Sequence, residues 1–120
     1  MPHALIIDDN LIVSRIIIQK LAEIGFDSFD CTWTEDQAVL SAANITPDLV
    51  VVGDALEEGS GMEAARRISL QCHSPVIMVT GDCHRAKHSF EGASRVEGPF
   101  LMEQIGEAID LACQSRRMLN

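Results

Sequence analysis

Short apolar runs and longer amphipathic stretches alternate along the whole chain. The short runs predict β-strands at residues 4–7, 26–31, 49–52, 76–79 and 94–97. The longer stretches, with apolar residues at helical spacing, predict helices at residues 11–24, 35–44, 62–71, 83–91 and 100–118. Asn10 and Thr34 are suited to begin the first two helices, and Gly25 is suited to end the first.

This alternation of strands and helices predicts an α/β fold. Five strand–helix units in sequence imply one doubly wound parallel sheet, with right-handed crossovers and helices on both faces. Residues 49–52 and 76–79 are apolar throughout, which is typical of central strands that are buried on both faces. In such a sheet, reactive groups gather at the carboxyl ends of the strands.

The length, charge and composition of the chain exclude several classes of protein. The chain has 120 residues, the size of one domain, and 18 acidic against 9 basic side chains give it a net charge of −9. This acidity argues against nucleic acid and anionic membranes as partners. No apolar run approaches the roughly 18 residues that a membrane span needs, and the N-terminus lacks signal-peptide features. We therefore expect a cytoplasmic protein whose four cysteines are reduced.

Acidic and hydroxyl side chains follow three of the predicted strands. Asp8 and Asp9 follow the first strand, Asp54 the third and Thr80 the fourth. Carboxylates that converge in this way repel one another unless a cation neutralises them, and oxygen ligands suit Mg²⁺ or Mn²⁺. An aspartate beside such a metal can become an acyl phosphate, with a hydroxyl bonded to the added group. The alternative is that these aspartates only cap helices.

Five short motifs follow one another in an order that resembles a known family. They are IIDDN at 6–10, PDLVVVGD at 47–54, PVIMVTG at 75–81, GA at 92–93 and PF at 99–100. The series resembles the receiver domain of bacterial two-component response regulators over essentially the whole chain. The resemblance implies a flavodoxin-like (βα)5 domain that accepts a phosphoryl group from a histidine kinase or a histidine phosphotransfer protein.

The same resemblance implies a role for each residue of the acidic cluster. Asp54 matches the phosphoacceptor, and Thr80 matches the switch hydroxyl that moves toward the phosphoryl group. Asp9 and Asp54 would bind Mg²⁺ through their carboxylates, and Asp8 would act mainly through a metal-bound water. The backbone carbonyl of Leu56 would complete the protein ligands.

Four residues depart from the pattern of the family. Gly98 stands where the family carries a lysine before Pro-Phe, so one positive charge is missing from the pocket. Arg95 falls where the family has its switch aromatic residue. Glu57 and Glu58 replace the usual Met-Pro, and two more acids favour a metal while they discourage an anionic phosphodonor. The resemblance also implies a cis peptide bond between Gly98 and Pro99.

The first predicted helix carries more apolar residues than one face needs. Leu11, Ile12 and Ile18 lie off its core-facing stripe. In receiver domains the phosphodonor's helices dock at the start of this helix, so the resemblance implies a docking surface near Leu11 and Ile12. The alternative is scattered surface apolar residues, which are common.

We therefore predict that residues 1–120 form a stand-alone response regulator without an output domain. Its only catalysis would be its own phosphorylation and dephosphorylation, and it would act by docking to a downstream protein target or as a phosphorelay intermediate. A second hypothesis is a receiver-like interaction module that phosphorylation does not switch. A third, a metal-dependent small-molecule hydrolase, lacks the signature of a substrate pocket and a general base.

Overall fold

Five parallel strands form one sheet with helices on both faces, as the sequence predicts. The computed structural model describes residues 2–53, 56, 59–86 and 96–119, with side chains up to residue 113. The elements are β1 (His3–Ile7), α1 (Leu11–Ile24), β2 (Ser28–Thr32), α2 (Glu35–Asn44), β3 (Leu49–Val52), α3 (Gly61–Gln71), β4 (Val76–Thr80), β5 (Val96–Leu101), a 3₁₀ turn (Met102–Gln104) and α4 (Ile105–Leu119). The strand order is β2-β1-β3-β4-β5.

Hydrophobic cores lie on both faces of the sheet. Strands β1, β3 and β4 are buried along their whole length. Alternate residues, such as Ile6 and Val51, pack with α1 and α4 on one face, and their neighbours pack with α2 and α3 on the other. Each such aliphatic side chain contributes about 1.5–3 kcal/mol through burial. The two cores hold the strand ends, and so the site, in fixed positions.

The ends of the first two helices are as predicted. The side chain of Asn10 accepts hydrogen bonds from the backbone N–H groups of Ile12 and Val13. Thr34 accepts one from the N–H of Gln37 in the same way. Gly25 ends α1 at a φ of +121°, which favours glycine. Both helices begin within four residues of the carboxyl ends of β1 and β2.

The predictions between β4 and α4 were partly wrong. Residues 83–85 form a turn where a helix was predicted to begin, and residues 87–95 lie outside the described residues. Strand β5 extends to Leu101, whereas it was predicted at 94–97, and α4 begins at Ile105 and not at residue 100. The cause is Phe100, which pairs with Val79 across the sheet and is buried in the core. Its apolar side chain is equally suited to a helix or to a strand.

Gly98 has a backbone conformation that excludes a side chain. The peptide bond between Gly98 and Pro99 is cis, as the resemblance implied, and the φ of Gly98 is +113°. A Cβ atom at this position would lie 2.6 Å from the carbonyl oxygen of Met78. Gly98 therefore has a structural reason to be glycine, independent of the missing positive charge.

No helix within the described ranges is both long enough and apolar enough to cross a membrane. The four cysteines, all in the described part of the chain, are thiols.

Candidate functional site

Strands β1, β3 and β4 end at the same edge of the sheet, and the described site residues Asp8, Asp9 and Thr80 follow or end two of them. Ile7 of β1 pairs with Val52 of β3, and Val52 pairs with Met78 of β4. Ile7, Val52 and Met78 therefore lie side by side in the sheet. Asp8 follows Ile7 by one residue, and Thr80 follows Met78 by two. The predicted phosphoacceptor Asp54 lies outside the described residues, as do Glu57, Glu58 and Arg95.

The carboxylate of Asp8 is held among backbone groups at this edge. Asp8 is 8% exposed, and its Oδ1 accepts a hydrogen bond of 2.7 Å from the N–H of Asn10. Its own N–H donates to the carbonyl oxygen of Thr32 at 3.0 Å. A buried carboxylate held in this way has a fixed position.

Gly53 leaves the space in which the Asp8 carboxylate lies. The N–H of Gly53 donates to the carbonyl oxygen of Ile7 at 2.8 Å, so the two strand ends are close together. A Cβ atom on Gly53 would lie 1.6 Å from Oδ2 of Asp8. Sequence reasoning missed this role. The available signal was a glycine that follows the apolar run at 49–52, directly before Asp54.

The residues present fit a hard divalent cation. Asp9 is exposed next to the buried Asp8, so two carboxylates leave the end of β1 in succession. Their oxygen atoms are the donors that Mg²⁺ and Mn²⁺ prefer. Within the described ranges no three acidic, histidine or cysteine side chains form a metal-binding group. The predicted site needs Asp54 as its third carboxylate.

Thr80 and Leu56 complete the described part of the predicted site. Thr80 ends β4 and is 2% exposed, and its Oγ1 accepts a hydrogen bond from the N–H of Asp82 at 3.1 Å. Leu56 is half-buried and packs against the core on the α2–α3 face. The hydroxyl and the residue whose carbonyl was predicted as a ligand are therefore both held by their surroundings.

Ser60, the residue before α3, is bonded to the start of α2. Glu35 accepts a hydrogen bond from the N–H of Ser60 at 3.2 Å, and its second oxygen pairs with Arg67 at 2.8 Å. Arg67 also pairs with Asp36 at 3.1 Å. The hydrogen bond from Arg67, aided by that from Ser60, holds the pKa of Glu35 below its usual value. The two carboxylates raise the pKa of Arg67 in turn.

Comparison with known proteins decides the type of fold. No family model matches the chain. The Regulatory protein VirG of Agrobacterium tumefaciens is 30% identical over 86 residues, which cover 68% of this chain and 30% of VirG. The chain therefore spans less than a third of that relative.

Solved structures match over nearly the full length. The PhyR response regulator REC domain of Erythrobacter litoralis superposes with a TM-score of 0.74 at 25% identity, over 93% of this chain and 89% of that one. The signal receiver domain of a modulated diguanylate cyclase from Desulfovibrio desulfuricans G20 gives 0.72 at 20% identity, over 100% and 99% of the two chains. By fold, the chain is a response-regulator receiver domain.

The start of α1 in this receiver domain exposes two aliphatic side chains. Leu11 is 72% exposed and Ile12 71%, and both lie directly after the acidic residues of the β1–α1 loop. Ile18, which was predicted to lie off the core-facing stripe, is partly buried and packs against the core. Ile16 and Ile24, further along the helix, are each 37% exposed, so the most exposed aliphatic side chains of α1 lie in its first turn.

The amino ends of the strands carry a second polar group in the receiver domain. The ring nitrogens of the buried His3 contact the hydroxyl of Ser28 at 2.7 Å and the carboxylate of Asp30 at 3.1 Å. Ser41 donates a further hydrogen bond to Asp30 at 3.1 Å. Partial desolvation, together with the charge of Asp30, raises the pKa of the neighbouring Cys31 thiol.

Proposed function

We propose that this receiver domain accepts a phosphoryl group on Asp54 in a reaction that requires Mg²⁺ or Mn²⁺. The observation that supports the proposal is the position of Asp8. Its buried carboxylate lies against Gly53, the residue directly before Asp54, and Asp9 follows it in the chain. Two acidic side chains at this point have a physical reason to be there if a cation binds between them and Asp54.

Each residue of the proposed site would have its own role in phosphoryl transfer. Asp8, Asp9, Asp54 and the carbonyl of Leu56 would hold the cation, which neutralises charge on the transferred group when it is bound. A carboxylate oxygen of Asp54 forms a bond to phosphorus while the bond from phosphorus to the donor's imidazole nitrogen breaks. Thr80 then donates its hydroxyl proton in a hydrogen bond to the phosphoryl oxygen. Hydrolysis returns the carboxylate and inorganic phosphate.

The partners we propose are proteins. A histidine kinase or a histidine phosphotransfer protein would dock on Leu11 and Ile12, which lie beside the acidic residues and are largely exposed. The net charge of −9 speaks against nucleic acid as the downstream target and favours a protein. That residues 1–120 work as a stand-alone domain in the cytoplasm stays a prediction.

One observation favours the second hypothesis, an interaction module that phosphorylation does not switch. The backbone at Gly98 has no space for the side chain that usually contacts the phosphoryl oxygens in this family. A domain without that positive charge would stabilise the phosphorylated state less. Phosphoryl transfer itself distinguishes the two hypotheses, because an unswitched module has no need of it.

The test is the intact mass of the protein after incubation with acetyl phosphate and Mg²⁺, beside a sample with EDTA. We expect the addition of one phosphoryl group in the Mg²⁺ sample only. Asp54→Asn should abolish this addition, and an unchanged addition would place the acceptor elsewhere. If neither acetyl phosphate nor a phosphorylated histidine phosphotransfer protein transfers the group, the interaction module is the better account.

A further inference from the structure

We propose that Glu35 is a positioning residue for the segment between β3 and α3, which contains Asp54. The inference rests on the function proposed above and extends it to a residue on another helix. Glu35 lies at the start of α2, 25 residues before the backbone group that it binds. Its effect on phosphoryl transfer would pass through Ser60, without contact to the phosphoryl group.

Glu35 takes a place that a residue of α3 would ordinarily fill. Ser60 caps the start of α3, and its side chain accepts a hydrogen bond from the N–H of Glu63 at 3.3 Å. In a common helix-start motif, the acidic side chain at this third position bonds back to the N–H of the capping residue. Here Glu63 lies 3.4 Å from Arg66 instead, and Glu35 of α2 binds the N–H of Ser60. The start of α3 therefore depends on a second helix.

Glu35 also fixes the backbone one residue earlier. Gly59 has a φ of +89°, and a Cβ atom there would lie 2.6 Å from Cβ of Glu35. The backbone of Gly59 thus packs directly against the side chain of Glu35. Both residues that precede α3 are held by the same side chain.

The other end of the segment is held as well. The N–H of Gly53 donates to the carbonyl oxygen of Ile7 at 2.8 Å, which fixes the chain directly before Asp54. Residues 54–59 must connect this point to Ser60. The chain that contains Asp54 is therefore anchored on both sides, at Gly53 and at Ser60, and small displacements of a reacting group reduce rates strongly.

Arg67 orients Glu35, and Asp36 provides a matched control. Arg67 contacts the carboxylates of both residues, at 2.8 Å and 3.1 Å. The side chain of Asp36 is 86% exposed and binds Arg67 alone among its described hydrogen-bond partners, whereas Glu35 also binds Ser60. Removal of either carboxylate changes the net charge equally. Only removal of the Glu35 carboxylate also removes the hydrogen bond from the N–H of Ser60.

The experiment compares Glu35→Ala, Glu35→Gln and Asp36→Ala by two measurements. Hydrogen exchange at the Ser60 amide reports the contact, and the rate of Mg²⁺-dependent phosphorylation by acetyl phosphate reports its consequence. We expect Glu35→Ala to speed exchange and to slow phosphorylation about tenfold. Glu35→Gln keeps an oxygen acceptor, so its exchange at the Ser60 amide and its phosphorylation rate should be close to those of the wild type. Asp36→Ala should change neither rate.

Three results would overturn the proposal. Faster exchange in Glu35→Ala with an unchanged rate would make the contact merely structural, while the proposed function would stand. Equal slowing by Asp36→Ala would assign the effect to charge. A wild-type protein that is never phosphorylated would refute the proposed function, and the positioning role with it. Should Glu35→Ala not fold, Arg67→Ala, which removes the group that orients Glu35, replaces it in both measurements, and an unchanged phosphorylation rate would overturn the proposal.

Discussion

The two ends of the sheet gather the same kinds of polar side chain in different arrangements. Toward the amino ends, the ring of His3 at the start of β1 contacts the carboxylate of Asp30, which also accepts a hydrogen bond from the hydroxyl of Ser41. At the carboxyl ends, Asp8 and Asp9 follow each other, and Oδ1 of Asp8 is bonded to a backbone N–H group. A carboxylate that is paired with side chains stabilises structure. Adjacent carboxylates at a strand end instead favour a cation from solution.

At the carboxyl ends, the backbone conformation of Gly98 explains why a lysine at this position is not expected to supply the missing positive charge. Gly98→Lys should destabilise the fold by about 3 kcal/mol, because φ is positive and a Cβ atom meets the Met78 carbonyl. Chemical denaturation measures the loss, and Gly98→Ala should lose a similar amount. Gly106→Ala is the control, since a Cβ atom there meets nothing within 4 Å. A stable Gly98→Lys protein with faster phosphorylation would contradict this account.

The amino-end network should matter for stability and not for phosphoryl transfer. His3→Ala leaves Ser28 and Asp30 without the ring that they contact, so we expect a loss of about 2 kcal/mol in the free energy of unfolding. Thermal unfolding measures this loss, and intact mass measures phosphorylation of the folded fraction. Loss of phosphorylation in folded His3→Ala would show that the two ends do not have separate roles.

The carboxyl-end site should be sensitive to one methyl group. Gly53→Ala must displace the Asp8 carboxylate, which would break its hydrogen bond from Asn10, and we expect Mg²⁺ affinity to fall about tenfold. Titration calorimetry with Mg²⁺ measures the change. Gly81→Ala is the matched control at the same edge, because a Cβ atom there meets nothing within 4 Å. Equal affinities for the two variants would refute the role of Gly53.

The smallest expected effect is on the titration of Glu35. Its pKa is lowered from 4.5 by Arg67, so the contact stabilises the fold above pH 4.5 and is lost as pH falls through the lower folded pKa. Arg67→Ala should raise the Glu35 pKa toward 4.5, as followed by carboxyl carbon NMR. Arg66→Ala should leave it unchanged, since Arg66 pairs with Glu63. An unshifted pKa in Arg67→Ala would remove Arg67 from the account.

Patterns of neighbouring residues in the sequence predicted most of the helices and strands. They did not predict the side-chain contacts between elements that are distant in the sequence. The bounds of α1 and the caps at Asn10 and Thr34 depend on neighbouring residues, so the sequence suffices for them. Asp8, Asp9 and Thr80 could be placed at one edge because parallel strands share their carboxyl ends. The bonds of Glu35 to Ser60 and Arg67 join residues 25 and 32 apart, and their geometry depends on how α2 and α3 pack.

The most direct test exchanges one carboxylate for an amide at each end of the sheet. Asp8→Asn and Asp30→Asn each replace one carboxylate oxygen of an aspartate with an amide nitrogen. Phosphorylation by acetyl phosphate with Mg²⁺ is measured by intact mass for both variants. We predict that Asp8→Asn loses most of the metal-dependent addition and that Asp30→Asn keeps it. Equal additions in the two variants, or a loss confined to Asp30→Asn, would contradict the assignment of the site to the carboxyl ends of the strands.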